Sequence, residues 1–168
     1  MIVYKAAKGA PTAYIAANMQ NYYFVAYDPN GNLFLNGLDP SGNVLLAELP
    51  SGKTAFKAIA MNQTILAPGG VAWDGQFLAV GDQLANIIYQ FKVLGSMAIE
   101  QGATTLNGAS AVFQFFFTGA TPKHPQATAV LGADSGNDTA SRWDYPAGGT
   151  PAKTIAIPGV PLGIAVSK

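Results

Sequence analysis

Apolar and polar positions alternate along this chain in short runs, and one run recurs. Phe24-Val25-Ala26-Tyr27-Asp28 returns as Gly70-Val71-Ala72-Trp73-Asp74 and again as Gly163-Ile164-Ala165-Val166-Ser167. Its alanines stand at 26, 72 and 165, intervals of 46 and 93 residues, the second about twice the first. A second run keeps the same clock: Gly9-x-Pro11-x-x-x-Ile15 returns as Gly149-x-Pro151-x-x-x-Ile155, an offset of 140, or three periods of nearly 47. Two unrelated runs on one period define a repeat architecture. Between Gly and Pro punctuation the runs are rich in Val, Ile, Phe, Tyr and Thr and lack a sustained helical period, so they predict strands. Each period holds four of them. The first unit reads as 23–28, 32–37, 43–49 and 54–60; the second as 70–74, 76–81, 86–93 and 96–101; the third as 110–117, 127–133, 139–145 and 152–157.

Within a unit the first strand is the most apolar, and the fourth alternates charge with apolar residues, as in Lys53-Thr54-Ala55-Phe56-Lys57-Ala58-Ile59. That gradient from a buried inner strand to a solvated outer one is how a propeller blade is built. Lys53 and Lys57 are placed to guard an outer edge against pairing. Asp28-Pro29-Asn30-Gly31-Asn32 and Asp39-Pro40-Ser41-Gly42-Asn43 put Pro where φ is fixed and Gly where φ turns positive, so both are hairpin connections. The ends are out of phase: 1–6 and 11–17 read as third and fourth strands, and 161–168 as a first strand. The expected fold is therefore an all-β, β-propeller-type array of about four four-stranded blades, with the termini contributing to an incomplete or shared blade. Residues 1–168 form one module. The edge-strand argument favours part of a larger propeller, or half of an oligomeric ring, over a closed monomer.

Composition narrows the partners. Of 168 residues, 49% are hydrophobic and 11% charged, and nine Lys plus Arg balance nine Asp plus Glu. No general field gathers phosphate or anionic lipid, so neither nucleic acid nor a membrane is an expected partner. The chain has no Cys, which removes disulfides, thiolate metal sites and cysteine nucleophiles. No signal-peptide pattern is visible, and the longest uncharged stretch, Gln101 to Pro122, is too polar to span a bilayer as a helix.

The stretch from Pro68 to Asp82, Pro-Gly-Gly-Val-Ala-Trp-Asp-Gly-Gln-Phe-Leu-Ala-Val-Gly-Asp, followed by Asn86-Ile87-Ile88-Tyr89-Gln90-Phe91, resembles a blade of the NHL-repeat propellers. Pro161-Leu162-Gly163-Ile164-Ala165-Val166 does so too. The resemblance extends to the broader group that includes gluconolactonase-like enzymes, and it implies an extracytoplasmic location. It also implies two activities: binding of proteins or other polymers through blade faces, or a metal-dependent lactonase chemistry on the propeller axis. The second departs from the residues present, because the only glutamates, Glu48 and Glu100, fall on predicted third and fourth strands, away from that axis.

Candidate chemistry is sparse. Gly52-Lys53-Thr54 lacks the upstream glycine of a phosphate loop, Ala47 standing in its place, and reads as a turn. Asp28-x-Asn30-x-Asn32 and Asp134-Ser135-Gly136-Asn137-Asp138 alternate oxygen ligands as a calcium loop would, without its closing bidentate Glu, and Asx turns account for them. His124, the one histidine, lies in a Pro-rich loop with no nucleophile beside it. The aromatic run at 113–117 reads as a strand packed between blades. Asn36, Asp82 and Asp134 recur near the ends of second strands and have two readings: caps on the following loop, or a polar ring facing a ligand. With Trp73 they are the expected contact residues, and Tyr22 and Tyr23 are further rim aromatics. The reading is a non-catalytic scaffold or binding module presenting rim loops to a protein, a carbohydrate or another small ligand. It calls for no cofactor, metal or catalytic residue. The alternative is a metal-dependent lactonase-like hydrolase.

Overall fold

The computed structural model describes residues 1–5 and 8–166. The parts of the expected terminal strands that fall on Ala6, Ala7, Ser167 and Lys168 lie outside the described residues. Among the described residues there is no helix, and so none long and apolar enough to cross a membrane. The strands are β1 (Ile2–Lys5), β2 (Lys8–Ala13), β3 (Asn21–Tyr27), β4 (Leu33–Leu38), β5 (Val44–Leu49), β6 (Lys57–Met61), β7 (Pro68–Trp73), β8 (Leu78–Asp82), β9 (Ile87–Leu94), β10 (Met97–Thr105), β11 (Val112–Thr118), β12 (Ala129–Asp134), β13 (Thr139–Asp144) and β14 (Lys153–Ala156).

Three antiparallel meanders of four strands follow one another: β3-β4-β5-β6, β7-β8-β9-β10 and β11-β12-β13-β14. They are blades 1, 2 and 3, and they coincide with the three predicted units. Turn chemistry sets the meander. In blade 1, Asp28 Oδ1 accepts from the amides of Asn30 and Asn32 at 2.9 Å each, and Asp39 Oδ1 accepts from Ser41 and Asn43 at 2.8 Å each. These bonds, led by the Asn43 side chain, hold the Asp39 carboxyl below its ordinary range. The N-terminal hairpin β1-β2 is a separate two-stranded sheet, an incomplete unit before blade 1. Residues 161–166, part of the expected first strand at 161–168, pair with no strand and are mostly exposed.

Apolar side chains between the blades form the core. Phe34, Leu46 and Ile59 of blade 1 meet Val71, Leu78, Val80 and Phe91 of blade 2. Ala79 and Ile88 of blade 2 meet Val112, Phe115, Val130 and Trp143 of blade 3. Consecutive residues of a strand point to opposite faces, which is why Leu78 and Val80 serve one interface and Ala79 the other. A third cluster packs Ala16 and Met19, from the segment before β3, onto Leu35 and Ala47 of blade 1.

Two expectations need correcting. Burial peaks on the second strand of a blade: β4 and β8 are buried almost throughout, whereas β3, a first strand, is exposed at alternate positions. A second strand has neighbours along both edges and on both faces, while β3 has a strand on one side and an uncovered outer face. The outer edge of blade 1 is also not left free. β6 pairs in parallel with β10 through Ala60↔Met97 and Met61↔Ala98, joining blades 1 and 2 into one eight-stranded sheet. Lys57 reinforces that seam rather than repelling it: its Nζ donates to the Gly95 carbonyl at 3.0 Å and lies 2.9 Å from Glu48 Oε2.

Candidate functional site

Asn36, Asp82 and Asp134 are buried, one per blade, on β4, β8 and β12, and none bonds another. Asp82 accepts from the amides of Leu66 and Ala67, which enter β7, and of Leu84 and Ala85, in the turn that follows β8. Asp134 repeats the arrangement in blade 3, accepting from the amides of Ser110, Ala111 and Gly136 and from the Asn137 side chain. In blades 2 and 3 one carboxylate each thus satisfies main-chain donors that no ladder reaches. Asn36 sits within its strand instead. Its Oδ1 accepts from Phe24 N at 3.0 Å and its Nδ2 donates to Gly69 O at 2.8 Å, bridging blades 1 and 2.

Trp73 has a different setting. It ends β7, packs half-buried against the core between blades 1 and 2, and its indole N–H is enclosed yet has no hydrogen-bond partner among the described residues. Such a donor costs about 1–3 kcal/mol when left unmade, so its position calls for an acceptor. Trp73 also lines a cleft of about 350 Å³ between the two blades. Blade 1 contributes Asp28, Asn30, Asn32 and the Glu48–Lys57 ion pair; blade 2 contributes Trp73, Gln76 and Lys92. An aromatic ring, amides and both signs of charge therefore border one opening, held by hairpin turns on two blades.

The same position between blades 2 and 3 is filled. By register, Asp28 corresponds to Asp74 and Val93 to Tyr145. Tyr145 Oη donates to Asp74 Oδ2 at 2.6 Å, Gln90 Nε2 donates to the same oxygen at 3.1 Å, and the amides of Gln76 and Phe77 donate to Oδ1. The loop at 122–127 closes over them, Ala127 N bonding the Asp74 carbonyl at 2.7 Å. Burial, then the bond to Asp74 and its charge, push the Tyr145 hydroxyl far above its ordinary ionisation range. This buried network was not among the sequence candidates. Its one visible signal was Asp74 at the end of the repeated run, whose partner Tyr145 stands 71 residues away.

Other candidates resolve simply. His124 is exposed in the loop at 121–125, its amide bonded to Thr121. Trp143 is buried with its Nε1 on the Asn107 carbonyl at 3.2 Å. Within the aromatic run, Phe115 is buried between blades 2 and 3 and Phe116 points outward. Among the described residues no three His, Cys, Asp or Glu side chains gather to hold a metal ion.

No protein-family model matches the chain, and no curated protein matches it. Among solved structures it is similar to a catalytically inactive virginiamycin B lyase from Staphylococcus aureus, solved with quinupristin, at a TM-score of 0.54 and 7% identity, over 88% of this chain and 45% of that one. It is also similar to BamB from Moraxella catarrhalis, at a TM-score of 0.47 and 16% identity, over 80% of this chain and 37% of that one. Both are β-propeller proteins. The chain spans less than half the length of either. Its blades and the likeness to the lyase make it an all-β protein of the propeller type.

Proposed function

We propose that this chain is a non-catalytic binding module and that its ligand, a carbohydrate or similarly hydroxylated small molecule, enters the cleft between blades 1 and 2. The observation that carries the reading is the Trp73 ring at the border of a cleft of about 350 Å³ that Asp28, Asn30, Asn32, Gln76 and Lys92 also line. A sugar offers an apolar face to an aromatic ring and hydroxyls that both donate and accept, which suits this mixture of side chains better than a purely apolar or purely anionic ligand does. The neighbouring propellers support the scaffold and leave the ligand to this cleft. Propellers host many activities, so the site and not the fold carries the argument.

Tryptophan emission provides the test, because Trp73 and Trp143 are the only two indoles and Trp143 is sealed in the core. A panel of mono- and oligosaccharides is titrated into the protein. The expected result is a saturable emission change with at least one sugar, lost in Trp73→Ala while Trp143 emission and the circular dichroism of the folded sheets persist. A panel that gives no saturable change, or a change that survives Trp73→Ala, overturns the reading.

A further inference from the structure

The two ends of the blade stack are covered only in part, and they are faces of the kind that the stack buries elsewhere. Blade 1 packs one face on blade 2, and blade 2 packs its other face on blade 3. On blade 1 the remaining face carries Val25 and Tyr27, opposite Leu35 and Leu33 in register; they are 50% and 56% exposed. The segment before β3 covers the neighbouring Leu35 and Ala47 but leaves this inner-strand portion open. On blade 3 the remaining face carries Phe116 and Ile155, 37% and 50% exposed, on the side away from Phe115 and blade 2. Isolated exposed apolar residues need no explanation, whereas exposed apolar residues on both terminal faces of a stack, on blade 3 interspersed with Arg142 and Lys153, do.

We infer that a second copy of this chain covers them, the blade 3 face of each copy packing on the blade 1 face of the other to close a two-copy propeller. Two arguments select this occupant. The contact required is the blade-on-blade packing that the chain already makes twice, continued across the chain boundary. The chain also matches 45% of the length of a propeller protein, so two copies supply about nine-tenths of such a ring. Six complete blades with two added hairpins fall within the sizes propellers adopt. Across a two-fold each face of one copy meets the unlike face of the other and the same contact returns in reverse, the isologous arrangement that closes rather than extends. The unpaired segment at 161–166 carries the first-strand run Gly163-Ile164-Ala165-Val166 and lies beside Gln114 on that same free face of blade 3. It is placed to reach the other copy's β1-β2 hairpin, which shares a sheet with no other strand.

Light scattering on the 168-residue chain, with and without Val25→Lys/Tyr27→Lys, tests this. Both positions are solvent-exposed in the single chain, so unchanged circular dichroism is expected for the variant. The expected result is twice the 17.4 kDa chain mass for the parent and the single mass for the variant. A second measurement uses the absence of native Cys: Val25→Cys/Phe116→Cys should oxidise to a species of two chains joined by two disulfides. A monomeric parent, a dimer indifferent to the lysines, an open-ended series of larger species, or a disulfide within one chain would each overturn the inference. A monomeric parent leaves the Trp73 reading standing, because that cleft is bordered by blades 1 and 2 of a single chain.

Discussion

The Tyr145 hydroxyl reaches across from blade 3 to the Asp74 carboxylate of blade 2 at 2.6 Å, and both groups are buried. No cation neutralises Asp74 among the described residues; four donors do the work instead, namely Tyr145, Gln90 and the amides of Gln76 and Phe77. A buried carboxylate is tolerated only when its acceptor sites are filled in this way.

Removing the phenol hydroxyl therefore acts on the blade 2–blade 3 junction. Tyr145→Phe should lower stability by about 1.5–3 kcal/mol, the range for a hydrogen bond to a charged group, read as a shift in the urea midpoint. The pH dependence follows from the raised ionisation of this phenol. Its folded value lies above the ordinary 10.0, so its contribution is fully present below that pH and is lost as pH rises past it, where the unfolded chain ionises first. The stability gap between parent and Tyr145→Phe should narrow above about pH 10.

Asn36 and Asp82 stand one period apart, yet they cannot exchange chemistry. Asn36 must donate to the Gly69 carbonyl, and Asp82 must accept from Leu66 N at 2.7 Å. Asn36→Asp sets an oxygen against an oxygen and buries a charge, while Asp82→Asn can turn a donor toward a donor. Each should cost at least about 2 kcal/mol by denaturant unfolding, Asn36→Asp the more. Only Asn36→Asp should regain stability on acidification toward about pH 4, because a protonated carboxyl donates to Gly69 again.

Gly75 turns at φ 104° directly beneath Pro125, and a Cβ there would run into the Pro125 carbonyl oxygen. Gly75→Ala should displace the loop at 122–127 and cost more than about 2 kcal/mol through strain and clash together. Faster amide exchange at Ala127, whose N–H bonds the Asp74 carbonyl, is the signature that distinguishes loop release from general unfolding.

The blades were legible because each solves the same local problem with the same residues: an apolar run, then Asp, Pro, Gly and Asn where the chain reverses. Asp39 to Asn43 needs no tertiary partner to turn, so its hairpin can be read from five letters. What depended on one blade meeting another was not legible. The β6–β10 pairing rests on only two residue pairs, and nothing near Lys57 announced that it would bond Gly95 rather than face water. Trp73 is an expected contact residue from its type and place alone. Its cleft is set by the distance between turns 28–32 and 74–77, which a period of 46 residues does not encode. The contrast between an open cleft at Asp28 and a filled one at Asp74 accompanies one difference between corresponding side chains, Val93 against Tyr145, together with the longer loop at 122–127.

Radial stacking of the three blades underlies every one of these arguments, and it can be read directly from nuclear Overhauser contacts in solution. The Phe115 ring of blade 3 presses against Gly70 and Gly81 of blade 2, so closely that a Cβ at either glycine would meet it at about 3 Å. Cross-peaks from the Phe115 ring protons to the α-protons of both Gly70 and Gly81 are the predicted result. A Phe115 ring that shows contacts within its own blade alone, with neither glycine cross-peak, would contradict the stacked-blade account.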